Sequence, residues 1–125
     1  MAKCVEELQV WQRARALTVA IFAITEVSAF RRHPRLADQL NDAADSLLSN
    51  IAEGFGQPSD RGFARYLGLA RGSCNEVRSH LTVAIIRRCV TSEHAAASLG
   101  DADEISRMLT GLIDYLNRSD RRHRG

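Results

Sequence analysis

Apolar side chains recur at intervals of three and four residues along nearly the whole chain, which is the period of an α-helix. Four segments carry this period: residues 8–29, 35–55, 60–90 and 101–117. No segment shows the alternation of apolar and polar residues that is typical of a β-strand. The chain has 125 residues, which is the length of one domain. The sequence therefore predicts one all-α domain, residues 1–125, folded as an antiparallel up-and-down four-helix bundle.

Turn residues separate the predicted helices. Pro34 ends the first helix, because the residue before a proline is pushed out of helical dihedral angles. Residues 54–58 contain two glycines and a proline, and Ser59 after them is a predicted N-cap. Residues 91–100 are polar and alanine-rich, which fits either a turn or a continuation of the third helix. Residues 118–125 form a basic tail that is expected to fray.

Two of the predicted helices carry surfaces that one core does not explain. The apolar positions of the second helix cover about half of its circumference. It therefore needs a second neighbour, either inside the bundle or across a subunit boundary. The third helix places Ala64, Gly68 and Gly72 on one face, and each glycine costs ~1 kcal/mol relative to alanine. Close approach of a neighbouring helix would offset this cost, and a helix break near Gly72 is the alternative.

Residues that could carry catalysis or bind a metal are present, but not at the spacing these functions need. Di-iron bundles use Glu-x-x-His on two helices, and no Glu here has a His three residues later. Cys74 and Cys89 lie on apolar helical faces and His80 has no evident orienting partner, so we predict packed thiols and a surface histidine. We expect no metal, no cofactor and no small-molecule substrate, and we predict that the protein is not an enzyme.

The sequence also indicates where the protein is found. No apolar run approaches the ~20 residues that a membrane span needs. The N-terminus lacks the apolar core of a signal peptide. The three cysteines lack zinc-type spacing, which predicts free thiols. We therefore expect a soluble, cytoplasmic protein with no membrane partner.

Arginine supplies nearly all of the positive charge. Lys3 is the only lysine, and 17 Lys and Arg against 15 Asp and Glu leave a net charge of +2. A GC-rich genome explains this bias as well as a need for phosphate or interface contacts does. The candidate functional arginines are Arg61, Arg65, Arg71, Arg78, Arg87, Arg88, Arg121, Arg122 and Arg124. One interpretation is a surface that binds phosphates or that matches opposite charge on another subunit. The other interpretation is a solvated face with cross-helix ion pairs. A polar network that fixes helix register is predicted from Asn50, Glu53 and Glu76.

Three sequence motifs resemble those of one known family. They are LQVWQRA at residues 8–14, NIAEGFG at 50–56 and FARYLGLARGSCNE at 63–76. They are similar to motifs of the four helix bundle protein family, whose members include proteins encoded by intervening sequences of bacterial 23S ribosomal RNA genes. The family is also labelled S23 ribosomal protein, and the accessory variability determinant of diversity-generating retroelements is a relative. The resemblance spans residues 8–116 in the family's order.

The resemblance implies an antiparallel four-helix bundle that assembles as a ring-shaped homopentamer with a non-enzymatic role. The retroelement relatives bind nucleic acid and a reverse transcriptase, so the arginine surfaces are expected to bind RNA, DNA or a nucleic-acid-processing protein. This chain departs from many members, with Asn41 and Asp42 where they carry Arg, and with Gln57 where Arg commonly follows Gly-Phe-Gly. These differences favour the alternative, a homo-oligomeric protein–protein scaffold that binds no nucleic acid. The properties of the relatives tip the balance slightly toward the nucleic-acid-binding module.

Overall fold

The structure is a computed structural model that describes residues 2–124, with side chains described up to residue 122. These residues contain four α-helices, two short 3₁₀ helices and no β-strand. The α-helices are α1, Gln9–Thr25; α2, Pro34–Phe55; α3, Asp60–Ile86; and α4, Ser92–Arg124. The 3₁₀ helices are Val5–Glu7 and Ser28–Arg32. The predicted all-α class is confirmed.

The four helices surround one hydrophobic core. Contacts join α1 to α2, α2 to α3, α3 to α4, and α4 back to α1. Each helix contributes at least one fully buried leucine, among them Leu17, Leu47, Leu67 and Leu109. Burial of such side chains stabilises a fold by about 1.5–3 kcal/mol each, because apolar surface leaves water. The molecule is therefore a four-helix bundle whose apolar stripes meet at its centre.

The fourth helix is longer than the sequence predicts. It begins at Ser92 rather than at residue 101, so residues 91–100 are neither a turn nor part of α3. Thr91 starts the helix, since its Oγ1 accepts a hydrogen bond of 3.1 Å from the backbone N–H of His94. The helix continues to Arg124, so the basic tail is helical and not frayed over its described residues. Small residues hid this extension, because Ala95 and Ser98 face the core without forming a strongly apolar stripe.

The first and third helices end earlier than predicted. α1 stops at Thr25 and not at residue 29, and the chain then turns into the second 3₁₀ helix, Ser28–Arg32. α3 stops at Ile86 and not at residue 90, because Arg88 has a positive φ of 61°. The N–H of Cys89 donates to the carbonyl of Ala84 at 2.9 Å, which closes a Schellman-type end of the helix.

Arg88 occupies a backbone position that favours glycine, so Arg88→Gly should raise the free energy of unfolding. We expect a gain of about 1 kcal/mol, because a residue with a Cβ is strained in the left-handed region. Arg87→Gly is the matched control, since Arg87 has a φ of −83° and the charge change is the same. Urea unfolding followed by circular dichroism measures both. A loss of stability in Arg88→Gly would contradict the assigned helix end.

Helix α2 has two neighbours within the bundle, which accounts for its wide apolar face. On one side, Asn41 Nδ2 donates to Thr25 Oγ1 of α1 at 2.9 Å. On the other side, the hydroxyls of Ser46 and Ser73 of α3 are 2.9 Å apart and hydrogen-bonded. The second neighbour that the sequence required is therefore inside the bundle.

The glycine at which two helices approach closely is Gly54, not Gly68 or Gly72. A Cβ built on Gly54 would lie 2.9 Å from Phe63 Cδ1 and 2.9 Å from Tyr66 Cβ. No atom lies within 4 Å of the same position at Gly68 or Gly72, and α3 passes through both without a break. The expected close approach of another helix at Gly68 and Gly72 is thus wrong within this chain, because their face of α3 is open. The alternative, a helix break near Gly72, is wrong as well.

Alanine substitutions at Gly54 and Gly72 should therefore have opposite effects on the free energy of unfolding. Gly54→Ala should lower the free energy of unfolding by about 1–3 kcal/mol, because the added methyl group overpacks the α2–α3 contact. Gly72→Ala should raise it by about 0.5–1 kcal/mol, because alanine has the higher helix propensity and the space is open. Thermal and urea unfolding of the two variants test this pair. Equal effects of the two substitutions would argue against the described packing of α2 on α3.

Candidate functional site

The first turns of α3 and the last turns of α4 meet at one end of the bundle. Between them lies an open groove of about 540 Å³. It is lined by Ser59, Arg61, Gly62, Ala64, Arg65, Ile113 and Asn117. A second groove of about 490 Å³ follows on the next turns of α4. We call the five arginines that line these two grooves the basic end: Arg61, Arg65, Arg118, Arg121 and Arg122.

The basic end carries positive charge that is open to solvent. All five arginines are exposed, and among the side chains described for residues 2–122 none forms an ion pair with them. Three carboxylates, Asp60, Asp114 and Asp120, lie in the same turns, so positive charges outnumber negative ones. The N-terminus of α3 adds partial positive charge, and its Ser59 cap accepts the N–H of Gly62 at 3.0 Å. The surface therefore favours an anionic ligand.

Arginines at the end of α4 also have a structural role. Cations near a helix C-terminus interact favourably with the partial negative charge of its free carbonyls, by about 0.3–1 kcal/mol each. Arg121 and Arg122, which lie in the last turn, thus help to hold the end of α4 in helical form. That role leaves their guanidinium groups exposed, so it does not compete with binding of an anion.

Two of the predicted arginines instead join α3 to α4 within the chain. Arg78 Nη1 lies 2.9 Å from Asp103 Oδ1, and Arg71 Nη1 donates to Thr110 Oγ1 at 3.1 Å. The side chains of Arg78 and Asp103 are 48% and 42% exposed, so their pair contributes at most about 1 kcal/mol. Such cross-helix contacts within the chain are those expected of a solvated arginine face.

The remaining predicted arginines are separated from the basic end. Arg87 and Arg88 lie just past the other end of α3, about 40 Å along the helix from Arg61. The side chain of Arg124 lies outside the described residues. Of the predicted residues, the structure thus places Arg61 and Arg65 in the first groove and Arg121 and Arg122 in the second. It adds Arg118, which the 118, 121, 122 spacing of three and four residues on one helical face would have indicated.

The polar network between α2 and α3 differs from the predicted one. Asn50 Nδ2 donates to the carbonyl of Ser46 at 2.9 Å and to its Oγ at 3.2 Å, and Ser46 is hydrogen-bonded to Ser73. Glu53 and Glu76 face solvent, and no hydrogen bond of the described side chains includes their carboxylates. The prediction that Glu53 and Glu76 join Asn50 in a polar network is therefore wrong, because both glutamates lie on the outer faces of their helices.

Cys74 and Cys89 are buried, as the sequence predicts, whereas Cys4 is exposed. Cys74 Sγ donates to the carbonyl of Ala102 at 3.1 Å. Burial, with a smaller contribution from Asp103, raises the pKa of the Cys74 thiol to about 11. The thiolate is the nucleophilic form, so Cys74 is inert at neutral pH.

Thiol reagents should therefore distinguish the cysteines. At pH 8 the native protein is expected to react quickly at Cys4, which is exposed, and slowly at Cys74 and Cys89, which are enclosed. The rate at Cys74 should rise with pH toward its pKa of about 11, because the thiolate forms only there. Mass spectrometry of timed alkylation measures each site, and the unfolded protein is the control. Fast labelling of Cys74 at pH 7 would contradict its burial.

The described residues carry neither a metal site nor a membrane span. No group of three or more His, Cys, Asp and Glu side chains among them is arranged to hold a metal ion. His80 lines a groove between α2 and α3 with Glu76 and Asp42, but these three do not form such a group. None of the described helices combines the length and the apolar character needed to cross a bilayer.

Fold and site together define a small helical-bundle protein with an arginine-rich end. A family model described as 23S rRNA-intervening sequence protein matches residues 6–111, so the chain belongs to this family. The motif resemblance seen in the sequence is thus confirmed. The matched region ends before Arg118, so three arginines of the basic end lie beyond it.

A solved structure shares the fold. It is a crystal structure from Bacteroides thetaiotaomicron VPI-5482, described as a protein with unknown function from the S23 ribosomal protein family. It is 21% identical in sequence, with a TM-score of 0.75, over 83% of this chain and 97% of that chain. At this identity the likeness shows the fold alone. A search of curated proteins gave no match.

Proposed function

We propose that the protein is a non-catalytic nucleic-acid-binding module that holds phosphates at its basic end. The observation that supports this most directly is that five exposed arginines, from two helices, line two open grooves at the basic end. Arginine donates several hydrogen bonds in a planar fork that fits phosphate oxygens. Within the described residues these guanidinium groups have no ion-pair partner, so contact with a phosphate breaks no ion pair there.

The shape of the grooves favours contact with the backbone of a nucleic acid. The side chains are spread along two helix ends and not enclosed in a pocket, so they suit a row of phosphates better than one small anion. Phosphate contacts position a protein on nucleic acid but do not specify sequence. We therefore expect affinity that depends steeply on salt and weakly on sequence. The family description names 23S rRNA-intervening sequences, which makes structured RNA the first ligand to test.

The proposal includes an antiparallel bundle. Along α3, Arg71 contacts Thr110 of α4, while the later residue Arg78 contacts the earlier residue Asp103. This order supports opposite directions for the two helices. It also accounts for the start of α3 lying beside the end of α4, which the basic end requires.

The proposal also includes assembly of several copies. Large apolar side chains remain exposed on three helices: Val19, Phe22, Leu69, Ile86 and Tyr115. Such side chains support contact with other copies or with a protein partner. A ring of five is implied by the family resemblance alone. These exposed side chains equally support the alternative function, a homo-oligomeric scaffold in the cytoplasm that binds no nucleic acid.

Charge reversal tests the nucleic-acid function. Arg61→Glu/Arg65→Glu should weaken binding of a short structured RNA by at least about tenfold, because two phosphate contacts become repulsive. Fluorescence anisotropy at about 50 and 200 mM salt should show a steep salt dependence for the natural sequence and a shallower one for the variant.

Arg31→Glu/Arg32→Glu is the matched control, with the same charge change. Arg31 and Arg32 are exposed and lie just before the start of α2. The end of α2 packs beside the start of α3, so the control residues lie about 30 Å along α2 from the basic end. This control should bind nearly as well as the natural sequence. Equal losses in both variants would overturn the assignment to the basic end. No binding of RNA or duplex DNA at low salt would overturn the nucleic-acid function and leave the scaffold.

A further inference from the structure

The outer face of α1 carries four exposed residues at the spacing of a helix–helix contact. Arg15, Val19, Phe22 and Glu26 follow one another at intervals of four, three and four residues. At about 100° per residue they fall within an arc of about 60°. Val19 and Phe22 are each 57% exposed, although the opposite face of α1 is buried in the core. This spacing is that of the contact face in a pair of packed helices.

The order of these four residues is self-complementary. Arg15 and Glu26 lie equally far from the midpoint of the face, between residues 20 and 21, and so do Val19 and Phe22. A second copy of α1 that runs in the opposite direction would therefore place arginine against glutamate and valine against phenylalanine. It would do so twice, because a twofold axis repeats every contact.

Neither charged residue has an ion-pair partner among the side chains described for residues 2–122. Arg15 and Glu26 are also about 16 Å apart along the same helix, which prevents them from pairing with each other. Glu26 keeps helical backbone angles, with φ −80° and ψ −9°, so the face continues through it. The charges at both ends of the apolar pair are therefore available to a neighbouring molecule.

We propose that a second copy of this chain packs antiparallel on α1 across a twofold axis near residues 20 and 21. Val19 contacts Phe22 of the partner subunit, and Arg15 pairs with Glu26 of the partner subunit. Two apolar side chains from each copy are few for a protein–protein interface, so the association is weak and depends on concentration. The contact is isologous and yields even numbers of copies, whereas a closed ring uses two different surfaces. It joins either two protomers or two rings.

Charge-swapped variants test this contact. Arg15→Glu and Glu26→Arg each place like charges together at two points and should raise the dissociation constant by roughly tenfold. The double variant Arg15→Glu/Glu26→Arg restores opposite charges and should recover most of the natural affinity. Light scattering coupled to size-exclusion chromatography over a range of concentrations measures the mass, and sedimentation gives the constant. The single variants should fall to half the mass of the natural assembly.

Two further variants keep the result interpretable. Arg13→Glu makes the same charge change on the same helix but points about 160° away from Arg15, and it should associate normally. Phe22→Asp should abolish the contact while circular dichroism shows an unchanged helix content. A double variant as weak as the single ones would overturn the proposal, and so would single variants with unchanged mass. RNA binding measured on the same proteins tests the basic end separately, because α1 carries none of its residues.

Discussion

The contact between α2 and α3 sets the geometry of the rest of the molecule. Gly54 lets the two backbones approach where a Cβ would collide with Phe63 and Tyr66. Further along, the hydroxyls of Ser46 and Ser73 are hydrogen-bonded across the same interface. A close approach at one point and a directional bond at another together fix how far each helix slides and rotates. Once α3 is fixed in this way, the position of its first turn, and thus of Arg61, is fixed too.

The α3–α4 contact then determines where α4 lies relative to the first turn of α3. Cys74 donates to the carbonyl of Ala102, and Arg78 pairs with Asp103 close to it. The exposed ion pair contributes little free energy. The Cys74 thiol is buried in the core, and its bond sets Ala102 of α4 beside Cys74 of α3. With this register, the last turns of α4 extend alongside the first turns of α3. The basic end is therefore a consequence of core packing, and its arginines need no specific contacts with one another to lie close together.

The sequence predicted the parts of the fold that depend on the periodicity of apolar residues. It missed those that depend on which residues lie close together in the folded chain. Three- and four-residue spacing located all four helices, because burial of an apolar stripe is a local property of the pattern. The early end of α3 was missed because Arg88 adopts a conformation that favours glycine. The functions of Gly54 and Gly72 were not separable either, since both are glycines inside helices and differ only in what lies nearby. The same holds for Arg65 and Arg78, which differ only in whether Asp103 is within reach.

A net charge of +2 conceals how unevenly the charges are distributed. The outer face of α2 carries exposed carboxylates at Asp38, Asp42 and Asp45, while five exposed arginines of α3 and α4 lie at the basic end. A polyanion near this molecule is repelled by one side and attracted by the other, so the separation of charge orients it before contact. Within about 10 Å, the screening length at moderate salt, the local balance of charge governs binding and not the sum over the chain. The net charge of such a protein therefore does not describe the charge that an anion meets at each side of it.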